Sequence, residues 1–140
     1  MQKSALVLSA GGSFGAYQVG AWRELSEWFT PDIVVGTSVG SLNAWAIAGG
    51  ASAEWLEAMW RNPDLAPAFE LRWPRSWRSG VLHATKAETV IRNLHSSFTP
   101  VRPVGIVTTA LRGLRQHLFE GPEVTWEHLQ ASCAIPFLLP

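Results

Sequence analysis

A chain of 140 residues with 47% hydrophobic and 16% charged residues holds enough apolar material for one folded domain over 1–140, which excludes a disordered chain. A formal net charge of zero gives no general pull toward nucleic acid, and a single cysteine, Cys133, excludes an internal disulfide and the multi-cysteine zinc sites. No stretch is apolar for long enough to span a bilayer. The short apolar run behind Lys3 breaks at Gly11-Gly12 before it could serve as a signal peptide, so a soluble, cytoplasmic protein is expected.

Residues 5–9 form a short apolar run bounded by glycines, the pattern of a strand buried on both faces. Residues 15–29 predict an amphipathic helix, with Tyr17, Ala21, Trp22, Leu25, Trp28 and Phe29 recurring at three- and four-residue spacing. Thr30-Pro31 breaks it, and residues 33–35 read as a second short strand. A helix of small residues over 39–48 follows, ended by Gly49-Gly50. Ser52 then caps a helix through Trp60. Strand-helix-strand-helix in this order implies a right-handed crossover and an α/β fold built on a parallel sheet.

Residues 62–80 are rich in Pro, Arg and Trp and read as irregular. Thr85 and Glu88 fit a capping box opening a helix through Leu94. Residues 104–110 predict a further buried strand with 116–119 as its partner, and Thr125 caps a last helix through Ser132. Within the irregular stretch Trp73 and Trp77 alternate with Arg72, Arg75 and Arg78. Two readings fit: a peripheral seat on anionic lipid head groups, or a loop whose indoles pack under arginine stems.

The segment "VVGTSVGSLNA" places Ser38 in a Gly-x-Ser-x-Gly pattern where a strand turns into a helix. That setting suits a nucleophile, because the turn exposes the hydroxyl at the carboxyl edge of the sheet and the following helix start favours developing negative charge. A plain Gly-Ser turn that begins a helix has the same spacing. "SAGGSFGAYQVG" after the first strand sets Gly11 and Gly12 in a second strand-to-helix turn at the same edge. Backbone amides there can converge on an oxyanion. Dinucleotide binding fits poorly, since Ala10 stands where the first fingerprint glycine belongs, and no Gly-Lys pair supports a phosphate loop. A Ser-Asp-His triad drawing on Asp64 and one of His83, His95, His117 or His128 has the chain order of the α/β-hydrolases but lacks their oxyanion loop.

"SAGGSFGAYQVGAWREL", "GTSVGSLNA" and "ASCAIPFLLP", in this order, resemble the patatin-like phospholipases. The resemblance implies a three-layer α/β/α fold with a mostly parallel sheet, incomplete at the C-terminus. It also implies a serine lipid acyl hydrolase, with phospholipids or other acylglycerols as substrates and no metal or organic cofactor. By position, Ser38 becomes the nucleophile, Gly11, Gly12 and Ser13 the oxyanion loop, and Gly36 and Gly40 the flanks of the elbow. The family's base is an aspartate in an Asp-Gly motif after the third block. Asp32 and Asp64 do not precede glycine, so that aspartate is expected downstream of Pro140, with the 140-residue chain weakly active at most. The alternative is a non-catalytic relative that binds a lipid or a protein.

Overall fold

The computed structural model describes residues 3–63 and 79–134, with the backbone alone described for 79–86. Four strands form one sheet in the order β1 (Ala5–Leu8), β2 (Ile33–Thr37), β3 (Val104–Ala110) and β4 (Arg115–Glu120). β1, β2 and β3 are parallel, and β4 returns antiparallel to β3 as a hairpin. Between them come α1 (Gly15–Leu25), α2 (Val39–Ala48), α3 (Ala53–Trp60) and α4 (Ser79–Ser97), and α5 (Trp126–Cys133) follows the hairpin.

Right-handed crossovers that step twice in the same direction across a sheet put their helices on the same face. The burial of the strands follows. Leu8, Gly36 and Ile106 lie side by side and are buried, as are the paired Val34 and Val104. The opposite parity carries Val7, Val35, Val107 and Leu118, and Val7 is 69% exposed. The expectation that β1 is buried on both faces therefore fails. Among the described residues β1 is an edge strand, and the helices lie on one face of the sheet.

α2 is the centre of the core, with all ten residues buried. It lies on β2 and β3 and is covered in turn by α1, α4 and α5. A helix enclosed on every side has no need of a polar face, and its Gly, Ser and Ala residues let the neighbours approach closely. Leu42, Ile47, Leu56, Ile91 and Leu129 fill the space around it.

Two helices differ from the periodicity. α1 stops at Leu25, and its inward stripe is Gly15, Val19 and Trp22, with Leu25 and Phe29 half-buried. Tyr17, Ala21 and Trp28 face outward. The stripe is set by Gly15, where a Cβ would stand 2.6 Å from Val39 and 2.4 Å from the Trp60 ring. α4 begins at Ser79, so the Thr85 capping box lies inside a helix rather than at its start. The Arg-Trp stretch from Arg72 to Arg78 lies outside the described residues. No described helix is long and apolar enough to cross a membrane.

Candidate active site

The carboxyl ends of β1 and β2 lie side by side, Leu8 against Gly36, so the glycine loop and the serine turn leave the sheet at one edge. Between Thr37 and Val39 the chain turns directly from strand to helix. Ser38 absorbs the turn with φ 55° and ψ −130°, a backbone state that costs an L-residue roughly 1–3 kcal/mol. Gly36 and Gly40 are what the turn requires. A Cβ on Gly36 would stand 2.2 Å from the Gly40 carbonyl oxygen, and one on Gly40 would stand 2.3 Å from that of Leu8.

The strained residue is held from both sides. The Ser38 N–H donates to Ser132 Oγ at 2.7 Å, and Ser132 Oγ donates onward to the Val107 carbonyl of β3 at 2.6 Å. The Ser38 carbonyl accepts from the Ser41 N–H at 2.8 Å and from Ser41 Oγ at 2.6 Å. Ser132 thus ties the turn to the end of α5 and to the neighbouring strand. Ser38 itself stays partly exposed.

The glycine loop is fixed to α2 by a buried polar cluster. Asn43, fully buried in α2, donates from Nδ2 to the Gly15 carbonyl at 3.0 Å and to Gln18 Oε1 at 2.9 Å. Its Oδ1 accepts from Trp60 Nε1 at 2.9 Å, and Gln18 Nε2 donates to the Ser9 carbonyl at 2.6 Å. Every strongly buried side-chain nitrogen or oxygen among the described residues has a partner, so the cluster is a fixed frame. Within it Gly11 is extended and Gly12 takes φ 56°, which glycine alone adopts freely, opening a single 3-10 turn over Gly12–Phe14. The amides of Gly12 and Ser13 begin that turn and have no acceptor within it, the condition for donating to an anion.

The Cys133 thiol lies beside the serine turn, against Ser38 and Ser41. Burial pushes its pKa up to about 12, and hydrogen bonds from Ser41 and Ser38 only partly oppose that, so it stays neutral at physiological pH. The remaining titratable candidates do not hydrogen-bond to Ser38 among the described residues. Asp32 precedes β2 at the amino edge, where its Oδ2 accepts from the Ser4 N–H at 2.7 Å and from Ser4 Oγ at 3.0 Å. His95 stacks on Trp45 at 4.5 Å and pairs with the Val124 carbonyl. His128 stacks on Phe119 at 3.9 Å and accepts the Thr125 N–H at the start of α5. His117 is exposed on β4. Asp64 and the His83 side chain lie outside the described residues.

Ser132, Asn43 and Gln18 are the residues that periodicity passes over. Asn43 leaves a trace in the sequence as an amide in an otherwise small and apolar helix. Ser132 leaves none, because its partners lie 94 and 25 residues away.

The sequence profile of the patatin-like phospholipase family matches residues 6–140. A triacylglycerol lipase of Arabidopsis thaliana, SDP1L, is 29% identical over 97% of this chain, which spans 20% of that protein's length. Among solved structures, VipD from Legionella pneumophila superposes with a TM-score of 0.65 at 12% identity, over all of this chain and 44% of its own. ExoU from the type III secretion system of Pseudomonas aeruginosa, in complex with SpcU, superposes with a TM-score of 0.60 at 16% identity. That match covers 99% of this chain and 39% of that one. At these identities the solved structures establish the shared fold.

Proposed function

The chain belongs to the patatin-like phospholipases, and on that premise we propose that it is the Ser38-bearing part of a lipid acyl hydrolase. Ser38 Oγ attacks the ester carbonyl of a phospholipid or other acylglycerol, and its proton passes to the base. The carbonyl oxygen gathers negative charge as Oγ adds; that charge returns to the C=O bond as the C–O bond to the alcohol breaks, the base hands its proton to the departing alcohol, and an acyl-serine remains. Water then adds to that ester and releases the fatty acid, returning Ser38 to its free state. The amides of Gly11, Gly12 and Ser13 are the donors for the oxyanion, a contribution typically worth a hundredfold or more per donor. The base is the aspartate that the family carries after the Ser132 block, beyond residue 140. No cofactor enters these steps. The name of the Arabidopsis relative puts acylglycerols among the candidate substrates.

The observation that carries this reading is the Ser38 backbone. A turn at φ 55°, clasped by Ser132 and Ser41 and flanked by two glycines without room for a Cβ, is far more than a helix start needs. The test is labelling of the full-length protein with a fluorophosphonate. A label on Ser38 that disappears in Ser38→Ala, together with loss of turnover by roughly ten-thousandfold, is the expected result. Labelling that survives Ser38→Ala removes this serine from the chemistry. A folded protein that neither labels nor turns over any ester supports the non-catalytic reading.

A further inference from the structure

We propose that the tip of the β3–β4 hairpin is a lipid-surface anchor: Leu111 and Leu114 enter the interface while Arg112 and Arg115 hold its anionic head groups. The proposal rests on the hydrolase reading of Ser38, because that reading supplies the bilayer as the place where substrate lies. Its own support comes from the register, the exposure and the backbone of the tip.

β3 pairs Val107 with Thr37, the residue before Ser38, and then continues for Thr108, Thr109 and Ala110. Three residues of strand rise about 10 Å, so the hairpin stands above the serine turn at the same edge of the sheet. Residues 111–114 make its loop. Leu111 is 69% exposed and Leu114 77% exposed. Leu114 also has φ 49°, the left-handed region where Asn or Gly is at ease and leucine is not. Water and the backbone both disfavour leucine there.

Arg112 and Arg115 alternate with these leucines, are exposed, and form no ion pair among the described residues. Across the serine turn, the start of α1 carries Phe14, 66% exposed, and Tyr17, 76% exposed, with ring centroids 6.0 Å apart. The Ser38 edge is thus flanked by outward apolar side chains on both sides. A convex four-residue tip offers little area to a second protein. A fluid apolar phase accepts it without a matching pocket, and the paired guanidiniums favour an anionic surface.

The test measures partition of full-length protein carrying Ser38→Ala onto phosphatidylcholine vesicles, with and without phosphatidylglycerol. Catalysis is then out of the measurement. Leu111→Ser with Leu114→Asn should weaken partition about tenfold or more, and asparagine keeps the left-handed turn. Arg112→Gln with Arg115→Gln should weaken it roughly tenfold on anionic vesicles and leave neutral vesicles unaffected. With Ser38 intact, turnover of a soluble short-chain ester should survive the leucine changes while turnover on vesicles falls. Partition of the leucine variant equal to the parent's overturns the proposal, and so does equal loss on the soluble ester. Unchanged partition with loss of self-association would make the tip a contact between copies, which also overturns it. Tip-dependent partition in a protein that hydrolyses no ester overturns the hydrolase reading alone.

Discussion

The two edges of the parallel sheet are built from different materials. At the amino edge lie the groups usually searched for chemistry. Asp32 is there with Ser4, and His95 with Trp45. A groove of about 680 Å3 opens beside His95 and Trp45, lined by Phe98, Pro100, Arg102 and Pro122 among others. The carboxyl edge holds Ser38, Ser41, Ser132 and a row of glycines. The carboxylate and the imidazole at the first edge have their partners and sit on relaxed backbone. The second edge has a strained residue, a clasp around it, and turn-opening amides that lack an acceptor within their turn. The two edges thus differ in backbone state and close approach, and the proposed chemistry falls at the edge with fewer titratable side chains.

Substitutions at the two edges should separate them sharply. The largest effect is expected at Gly40→Ala, where the new Cβ meets the carbonyl oxygens of Leu8 and Ser9 at 2.3 and 2.6 Å. Backbone of β1 cannot retreat as a side chain would, so a loss of about 3 kcal/mol or more in urea denaturation should follow. An alanine tolerated there would show that the turn does not lean on β1. Ser132→Ala is next. It strips the Ser38 N–H and the Val107 carbonyl of a shared partner, at a cost of about 1–3 kcal/mol. If Ser132 positions Ser38, kcat should fall while KM holds, and Ser132→Thr should restore much of the loss. A drop in stability with unchanged kcat would make the clasp purely structural.

The smallest effect belongs to the amino edge. Hydrogen bonds from the Ser4 amide and hydroxyl hold the Asp32 carboxyl below its ordinary value of 3.8, with Lys3 acting in the same direction. A lowered folded pKa adds stability above the unfolded pKa, and that stability is lost as pH falls through the folded value. Asp32→Asn should therefore flatten the acid limb of a pH–stability curve below about pH 4. Ester turnover at neutral pH should be unchanged. A large loss of turnover would bring Asp32 into the mechanism and erase the contrast between the edges.

Much of the architecture was legible because it is local. The bounds of α2 and β3 follow from glycine stops and apolar runs, and the Gly-x-Ser-x-Gly spacing predicts the strand-to-helix turn at Ser38. What was illegible is tertiary. Hydropathy treats Val7 and Leu8 alike, and only the direction of successive crossovers decides that one is open and the other buried. Tyr17 and Trp28 carried the expected stripe of α1 because aromatic rings weigh heavily in any apolar count. The true stripe begins at a glycine chosen for its lack of side chain. The Ser132 clasp joins residues 94 positions apart, and no window along the chain contains both.

On the hydrolase reading proposed above, the φ of Ser38 sets stability and chemistry against each other at one position. Glycine at residue 38 would relax the backbone by about 1 kcal/mol and keep the backbone hydrogen bonds to Ser132 and Ser41, losing the hydroxyl and its contact with Cys133. Mutational drift filtered only for foldedness would drain serine from that position early, since its loss makes the domain sturdier. A heat-resistance screen of this chain would for the same reason enrich variants without the hydroxyl. Serine at 38 is thus a residue that stability alone would not keep.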